Sequence, residues 1–181
     1  MLDAAREALS PVERELVENV ERYGFHSIAV RQTEQDQVDQ PRWQHVPPWT
    51  YTIGLNASLG HPDFVVFPLE TEFAYPLFWD LVREIEGSRT FEPGTVYKDL
   101  LPSFPGQEFA FEPVAVEWFP ALFGFARWFY VGDNFGVLQY LWPDRNGRFA
   151  WEDDVRAQVR EAQPDLIAPP SAPGEPPQVR T

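Results

Sequence analysis

The chain has 181 residues, a formal net charge of −14 and no cysteine. This length fits one domain, and a hydrophobic fraction of 44% is enough to form a core. The absence of cysteine excludes disulfides, thiolate metal sites and cysteine nucleophiles. The strong negative charge disfavours attraction to nucleic acids and to anionic membranes, so we expect neither as a partner.

The distribution of apolar residues indicates where the protein resides. The N-terminal sequence is charged throughout and lacks the apolar stretch of a secretory signal. The longest apolar run, residues 118–131, is interrupted by Pro120, Gly124 and Arg127 and is too short to span a bilayer. We therefore expect a cytoplasmic protein without a membrane-spanning segment.

Residues 1–24 are predicted to form an N-terminal helical segment that packs on the domain. Ser10-Pro11-Val12-Glu13 has the form of a capping box with proline at the first helical position. Gly24 is positioned to end the helix. Between them, apolar side chains recur at helical spacing: Leu16, Val17, Val20 and Tyr23.

Residues 25–163 are predicted to form a single α+β domain with a largely antiparallel sheet and flanking helices. Alternation and β-branched or aromatic content predict strands over 25–31, 49–55, 64–69, 109–117 and 137–142. Helices are predicted over 71–86, 120–131 and 151–162. The polar segment 32–45 is expected to be a long loop, of the kind that is often mobile or functional.

The C-terminal segment, residues 164–181, contains six prolines and almost no large apolar side chains. Such a segment buries too little apolar surface to compensate for the entropy lost on ordering. We therefore expect a proline-rich disordered tail.

Four segments of the chain form a recognisable series: Tyr23-Gly24-Phe25-His26, residues 49–55 with 60–67, Leu138-Gln139-Tyr140-Leu141-Trp142-Pro143-Asp144, and residues 147–152. In sequence and in order, these segments resemble a bacterial family known only as a domain of unknown function, DUF4262. Ala150 stands where the family usually has proline, and segment 32–48 is long by comparison. The resemblance covers roughly residues 20–155 and implies a fold, but it supplies no activity.

His61 and Asp144 are the candidate catalytic residues. His61 lies between Gly60 and Pro62 in a predicted loop, where an imidazole could serve as a general acid or base with Asp144 or Asp63. The alternative is that His61 and Asp144 only bond to backbone groups of their turns. The histidine spacing matches no metal motif, and no nucleotide-binding glycine pattern is present, so we expect neither a metal nor a cofactor.

Aromatic residues are the most unusual feature of the composition, with 15 Phe, 7 Trp and 6 Tyr. A small domain cannot easily bury all of these rings, so some should line a pocket or an interface. Tyr51, Trp142 and Trp151 are predicted to form a partly exposed cluster. The full set of candidate binding residues is Tyr51, Thr52, Asp63, Gln139, Trp142 and Trp151.

These features favour a protein- or ligand-binding module with an acidic, aromatic-bearing face, comparable to a regulatory or immunity protein. Its partner would be a basic protein surface or a small molecule. One alternative is a hydrolase-like enzyme that uses His61 with a carboxylate in a small pocket. Another is a DNA mimic, although its acidic residues are interleaved with arginines.

Overall fold

The computed structural model describes residues 9–180, which form one α+β domain. Its centre is a six-stranded sheet in the order β1-β2-β3-β6-β5-β4. Strands β3 and β6 pair in parallel and every other neighbouring pair is antiparallel, which confirms the predicted fold class. The strands are β1 (His26–Val30), β2 (Trp49–Ile53), β3 (Asp63–Val66), β4 (Tyr97–Lys98), β5 (Glu108–Pro113) and β6 (Val137–Leu141).

Seven α-helices lie within the described residues. They are α1 (Pro11–Tyr23), α2 (Glu34–Asp39), α3 (Leu55–Ser58), α4 (Thr71–Glu86), α5 (Phe119–Leu122), α6 (Gly124–Phe129) and α7 (Ala157–Ala162). Two 3-10 turns cover Pro41–Trp43 and Val116–Trp118. None of these helices is long and apolar enough to cross a membrane.

Helix α1 confirms the predicted helix start and end within the described residues, although the predicted segment 1–8 lies outside them. The Ser10 hydroxyl accepts a hydrogen bond from the Glu13 N–H, and the Glu13 side chain accepts one from the Ser10 N–H. Gly24 ends the helix at φ +84°, a left-handed conformation that glycine adopts without a Cβ clash.

The sheet separates two apolar layers. On one face, Tyr51, Val65 and Val137 pack with α1, α5 and α6. On the other face, Phe64, Val66 and neighbouring residues of β5 and β6 pack against α4. Successive strand residues point to opposite faces, so Val65 and Val66 belong to different layers.

Local structure differs from the sequence predictions at three places. Segment 32–45 contains the short helix α2, which begins with a capping box between Thr33 and Asp36. The helix predicted over 120–131 is divided into α5 and α6 at Phe123, and the helix predicted over 151–162 begins only at Ala157. The helix predicted over 71–86 is confirmed as α4, which continues through Pro76. Residue Pro76 is in the second turn of that helix, where its missing N–H removes only one backbone hydrogen bond.

Residues 164–180 differ from the expected disorder, because they lie against the sheet. Leu166 is fully buried in the layer that contains Tyr51. The buried Arg180 forms an ion pair with Glu112 at 2.5 Å. A bridge between Asp165 and Gln178 closes the segment into a loop. Composition does not predict this order, because two individual side chains, Leu166 and Arg180, attach the segment to the domain. The prolines also restrict the unfolded chain, so the segment loses little entropy on ordering.

Leu166→Ala tests whether the C-terminal segment contributes to stability. We expect it to lower the free energy of unfolding by about 2–4 kcal/mol, because it removes a fully buried side chain. The neighbouring Ile167 is 47% exposed, so Ile167→Ala should change it by less than about 0.5 kcal/mol. Urea unfolding measures both. Equal, negligible effects of the two changes would contradict a packed segment.

Candidate functional site

His61 and Asp144 lie at opposite ends of the parallel strand pair. His61 precedes the first residue of β3, whereas Asp144 follows the last residue of β6, and the two strands run in the same direction. No hydrogen bond joins the two residues within the described part of the chain. The predicted catalytic pair is therefore not assembled in this structure.

His61 is held by a backbone carbonyl. Its Nδ1 lies 2.7 Å from the Pro62 carbonyl oxygen, and because that oxygen can only accept, Nδ1 carries the proton. The other nitrogen, Nε2, is buried and has no hydrogen-bond partner among the residues that the structure describes. Burial lowers the pKa of His61, against a smaller opposing effect of the Pro62 carbonyl. The ring packs between Phe64 and Phe91 beside a 500 Å³ cavity.

Asp144 organises a turn. Its Oδ1 accepts hydrogen bonds from the Asn146 N–H at 2.7 Å and the Arg148 N–H at 3.1 Å. Loss of solvation would raise the pKa of Asp144, but the backbone bonds and the nearby arginines lower it. Asp144 is thus an ionised carboxylate that accepts hydrogen bonds from the backbone of its own turn. This arrangement corresponds to the alternative in which Asp144 has a structural role and no catalytic one.

Asp63 and Thr52, two candidate binding residues, meet in a buried network. Asp63 Oδ1 accepts from the Thr52 hydroxyl at 2.9 Å and from the Leu55 N–H at 3.2 Å. Asp63 Oδ2 accepts from the Tyr130 hydroxyl at 2.5 Å. The Tyr130 hydroxyl in turn accepts from the Gly54 N–H at 2.9 Å. Asp63 and Thr52 are buried and Tyr130 is half-buried, so the network connects structural elements around an enclosed carboxyl group.

Burial controls the protonation of this network. Loss of solvation raises the pKa of Asp63 to about 7, although hydrogen bonds from Tyr130, Thr52 and the backbone act in the opposite direction. Desolvation and the nearby Asp63 raise the pKa of Tyr130 as well. The carboxyl group therefore changes its protonation near neutral pH while fully enclosed.

Gln139 binds the C-terminal segment. It is fully buried on β6, and its Nε2 donates to the Pro164 carbonyl at 3.0 Å. Its Oε1 lies 3.4 Å from the guanidinium of Arg180. This side chain is therefore fully engaged within the protein.

The predicted cluster of Tyr51, Trp142 and Trp151 does not form. Tyr51 is buried on one face of the sheet, whereas Trp142 packs with the opposite layer and donates to the Phe67 carbonyl. Trp151 is 41% exposed and stacks on Phe149. The sequence identified the aromatic residues but not the faces to which the strands assign them.

A cavity with a volume of about 890 Å³ lies between segment 32–45 and helices α5 and α6. Trp43, Trp49 and Tyr51 contribute its aromatic wall. Backbone N–H groups of Phe125 and Ala126 approach the Tyr51 hydroxyl, but burial outweighs them and raises the pKa of that group. Charged residues of both signs line the cavity, so its electrostatics do not select one class of ligand.

Another concave site lies at the β1 edge of the sheet, where α1 meets α4. We call it the β1-edge groove and define it by Glu15, Tyr23, His26, Tyr75 and Trp79. Its volume is about 290 Å³. Tyr23 and Tyr75 are 40% and 49% exposed, respectively. The groove is therefore an open aromatic surface and not part of the core.

His26 lines the polar side of the groove. Its Nδ1 is 2.9 Å from the Asn19 side-chain nitrogen. Burial lowers the pKa of His26, and the charge of Glu15 partly opposes this effect. The imidazole is therefore neutral near physiological pH and adds no positive charge to the groove.

Sequence analysis missed this groove as a site. Tyr75 and Trp79 are one helical turn apart on α4, a spacing that places two rings on one face. This signal was present in the sequence, but the approach of Tyr23 from α1 depends on tertiary packing. Within residues 9–180, including the groove, no three histidine, aspartate or glutamate side chains are grouped to hold a metal ion.

Comparison with known proteins identifies the family. The model of a domain of unknown function, DUF4262, matches residues 19–156. The chain belongs to this family. The matched part of this DUF4262 protein includes Asp63 and the three aromatic residues of the β1-edge groove, but not Glu15 or the C-terminal segment. No curated protein and no solved structure matches the chain.

The raised pKa of Asp63 predicts a pH dependence of stability in this DUF4262 protein. At pH values between the ordinary pKa of 3.8 and the raised pKa of about 7, Asp63 holds a proton in the native state that it has lost in the unfolded chain. As pH rises, Asp63 therefore contributes a loss of stability of about 3 kcal/mol between about pH 5 and pH 8, whereas the lowered pKa values of His26 and His61 act in the opposite direction. We expect Asp63→Asn to remove this loss, as measured by urea unfolding across that range.

Asp144→Asn is the matched control. The pKa of Asp144 is lowered, so its titration falls below this pH range. Its stability difference from the wild type should stay constant between about pH 5 and pH 8. If Asp63→Asn retains the wild-type pH dependence, Asp63 is not the titrating group.

Proposed function

We propose that this protein is a non-catalytic binding module that recognises a basic segment of a partner protein through the β1-edge groove. The observation that carries the proposal is the exposure of Tyr23 and Tyr75 beside Trp79, between two acidic helices. Tyrosine and tryptophan provide large contact areas at interfaces, and each has a polar group for orientation. A regulatory or immunity-like role is consistent with such a module.

The charges of both helices favour a cationic partner. Helix α1 carries four glutamates against two arginines, which gives a net charge of −2. Helix α4 carries four acidic residues, of which Asp80 is buried beside Arg83 and Glu84 pairs with Arg89, so Glu72 and Glu86 supply its exposed negative charge. An acidic surface accelerates association with a basic partner and disfavours acidic competitors.

The other two functions have less support. The enzyme hypothesis requires His61 beside a carboxylate, but Asp144 lies at the other end of the strand pair and Asp63 is enclosed in its own network. The DNA-mimic hypothesis requires a row of free acids. Several acids are instead paired within the chain: Asp80 with Arg83, Glu84 with Arg89, and Asp133 with Arg127.

A labelled peptide of alternating lysine and alanine tests the proposed function. The peptide should bind the wild-type protein, and binding should weaken as the salt concentration rises. The double variant Tyr23→Ala/Tyr75→Ala should bind it at least about tenfold more weakly, because the aromatic contacts of the groove are lost. Fluorescence anisotropy measures the affinities.

Trp128→Ala is the control, because Trp128 is 37% exposed on α6 and does not line the groove. Its affinity should remain within about twofold of the wild type. Equal affinities of the wild type and the double variant would show that the peptide associates with the general acidic surface, and the proposed function would be wrong.

A further inference from the structure

Trp79 is the centre of a nearly perpendicular arrangement of rings. The Tyr23 ring lies 5.9 Å from the Trp79 ring at an interplanar angle of 80°. The Tyr75 ring lies 6.2 Å from it at 78°. Phe25 supports Trp79 from the core at 5.0 Å and 71°. The three outer rings, Tyr23, Tyr75 and Trp79, thus present surfaces of different orientation to one cavity.

Aromatic ring faces attract cations through their quadrupole. Tyr23 already shows this behaviour, because the guanidinium of Arg22 lies 5.0 Å from its ring centroid. Glu15 places a carboxylate in the same groove, and the neutral His26 does not offset its charge. The groove lining therefore combines three ring surfaces with one carboxylate, and the Arg22 guanidinium beside Tyr23 is not part of that lining.

This combination selects among cations. An unmodified lysine ammonium is compact and strongly hydrated, so its transfer onto aromatic rings is costly. Methylation keeps the positive charge and replaces N–H groups by apolar methyl groups. Cages of aromatic rings are suited to such alkylated ammonium groups.

We propose that the β1-edge groove is an aromatic cage for the methylated ammonium group of a lysine side chain on the partner protein. This inference rests on the proposed function, because it specifies the cation that the groove takes from a basic segment. Tyr23, Tyr75 and Trp79 contact the methyl groups, and Glu15 balances the charge. The acidic excess of α1 and α4 attracts the surrounding basic segment.

Three forms of the lysine–alanine peptide test the cage. One carries trimethyllysine at its centre, one carries unmodified lysine, and one carries the uncharged carbon isostere of trimethyllysine. The trimethyllysine peptide should bind about fivefold to thirtyfold more tightly than either other form. Isothermal titration calorimetry measures the affinities. The indole N–H resonance of Trp79, assigned with Trp79→Phe, should shift on binding.

Two pairs of variants locate the effect. Tyr75→Ala should abolish most of the preference for trimethyllysine, whereas Phe73→Ala should preserve it. Phe73 is on the same helix and is 48% exposed, but it does not line the groove. Glu15→Gln should reduce the preference of the groove for the charged form over the isostere. Glu18→Gln, also on α1 and outside the groove, should leave it unchanged.

The outcomes separate this inference from the proposed function. If the peptides bind in the groove with equal affinity, the cage is wrong while the proposed function stands. If no peptide depends on Tyr23 and Tyr75, both are wrong. If free trimethyllysine binds as tightly as the peptide, the groove is a small-molecule site, and its assignment to a partner's side chain is overturned.

Discussion

One buried carboxyl group organises the centre of this fold. Asp63 begins β3 and accepts hydrogen bonds from Thr52 on β2, from Leu55 at the start of α3 and from Tyr130 after α6. Its own N–H donates to the Gly136 carbonyl, immediately before the parallel strand β6. An enclosed carboxyl group needs these partners because it has lost its hydration. The same contacts fix how the strands and helices meet.

The polar side chains in the middle of the sheet are engaged in contacts within the protein. Asp63 is engaged by its donors, and Gln139 binds the C-terminal segment together with Arg180. Among the described residues His61 retains one unpartnered nitrogen, and Asp144 lies at the other end of the strand pair. Of the residues that the sequence motifs emphasise, Asp63 and Gln139 therefore connect structural elements and Asp144 organises its own turn. The groups that the proposed function uses lie at the edge of the sheet.

Local signals in the sequence were sufficient for individual elements but not for their assembly. The Ser10 capping box specifies the start of α1 through contacts three residues apart. Local signals do not predict that Tyr51 and Trp142 lie on opposite faces of the sheet, because the pairing of the strands determines the face of each residue. The C-terminal segment was misjudged from its average composition, whereas its order depends on Leu166 and Arg180 individually. Tyr23 and Trp79 meet only after distant helices pack.

The charge of −14 also bears on the edge strand. Among residues 9–180, strand β1 pairs with β2 alone, and an exposed strand edge can pair with another chain. The acidic helices α1 and α4 flank this edge, so two copies of the protein approach it against like-charge repulsion. The same charges would attract the basic segment of the proposed partner. A single electrostatic property thus disfavours self-association and supports the proposed binding at the exposed aromatic rings of the groove.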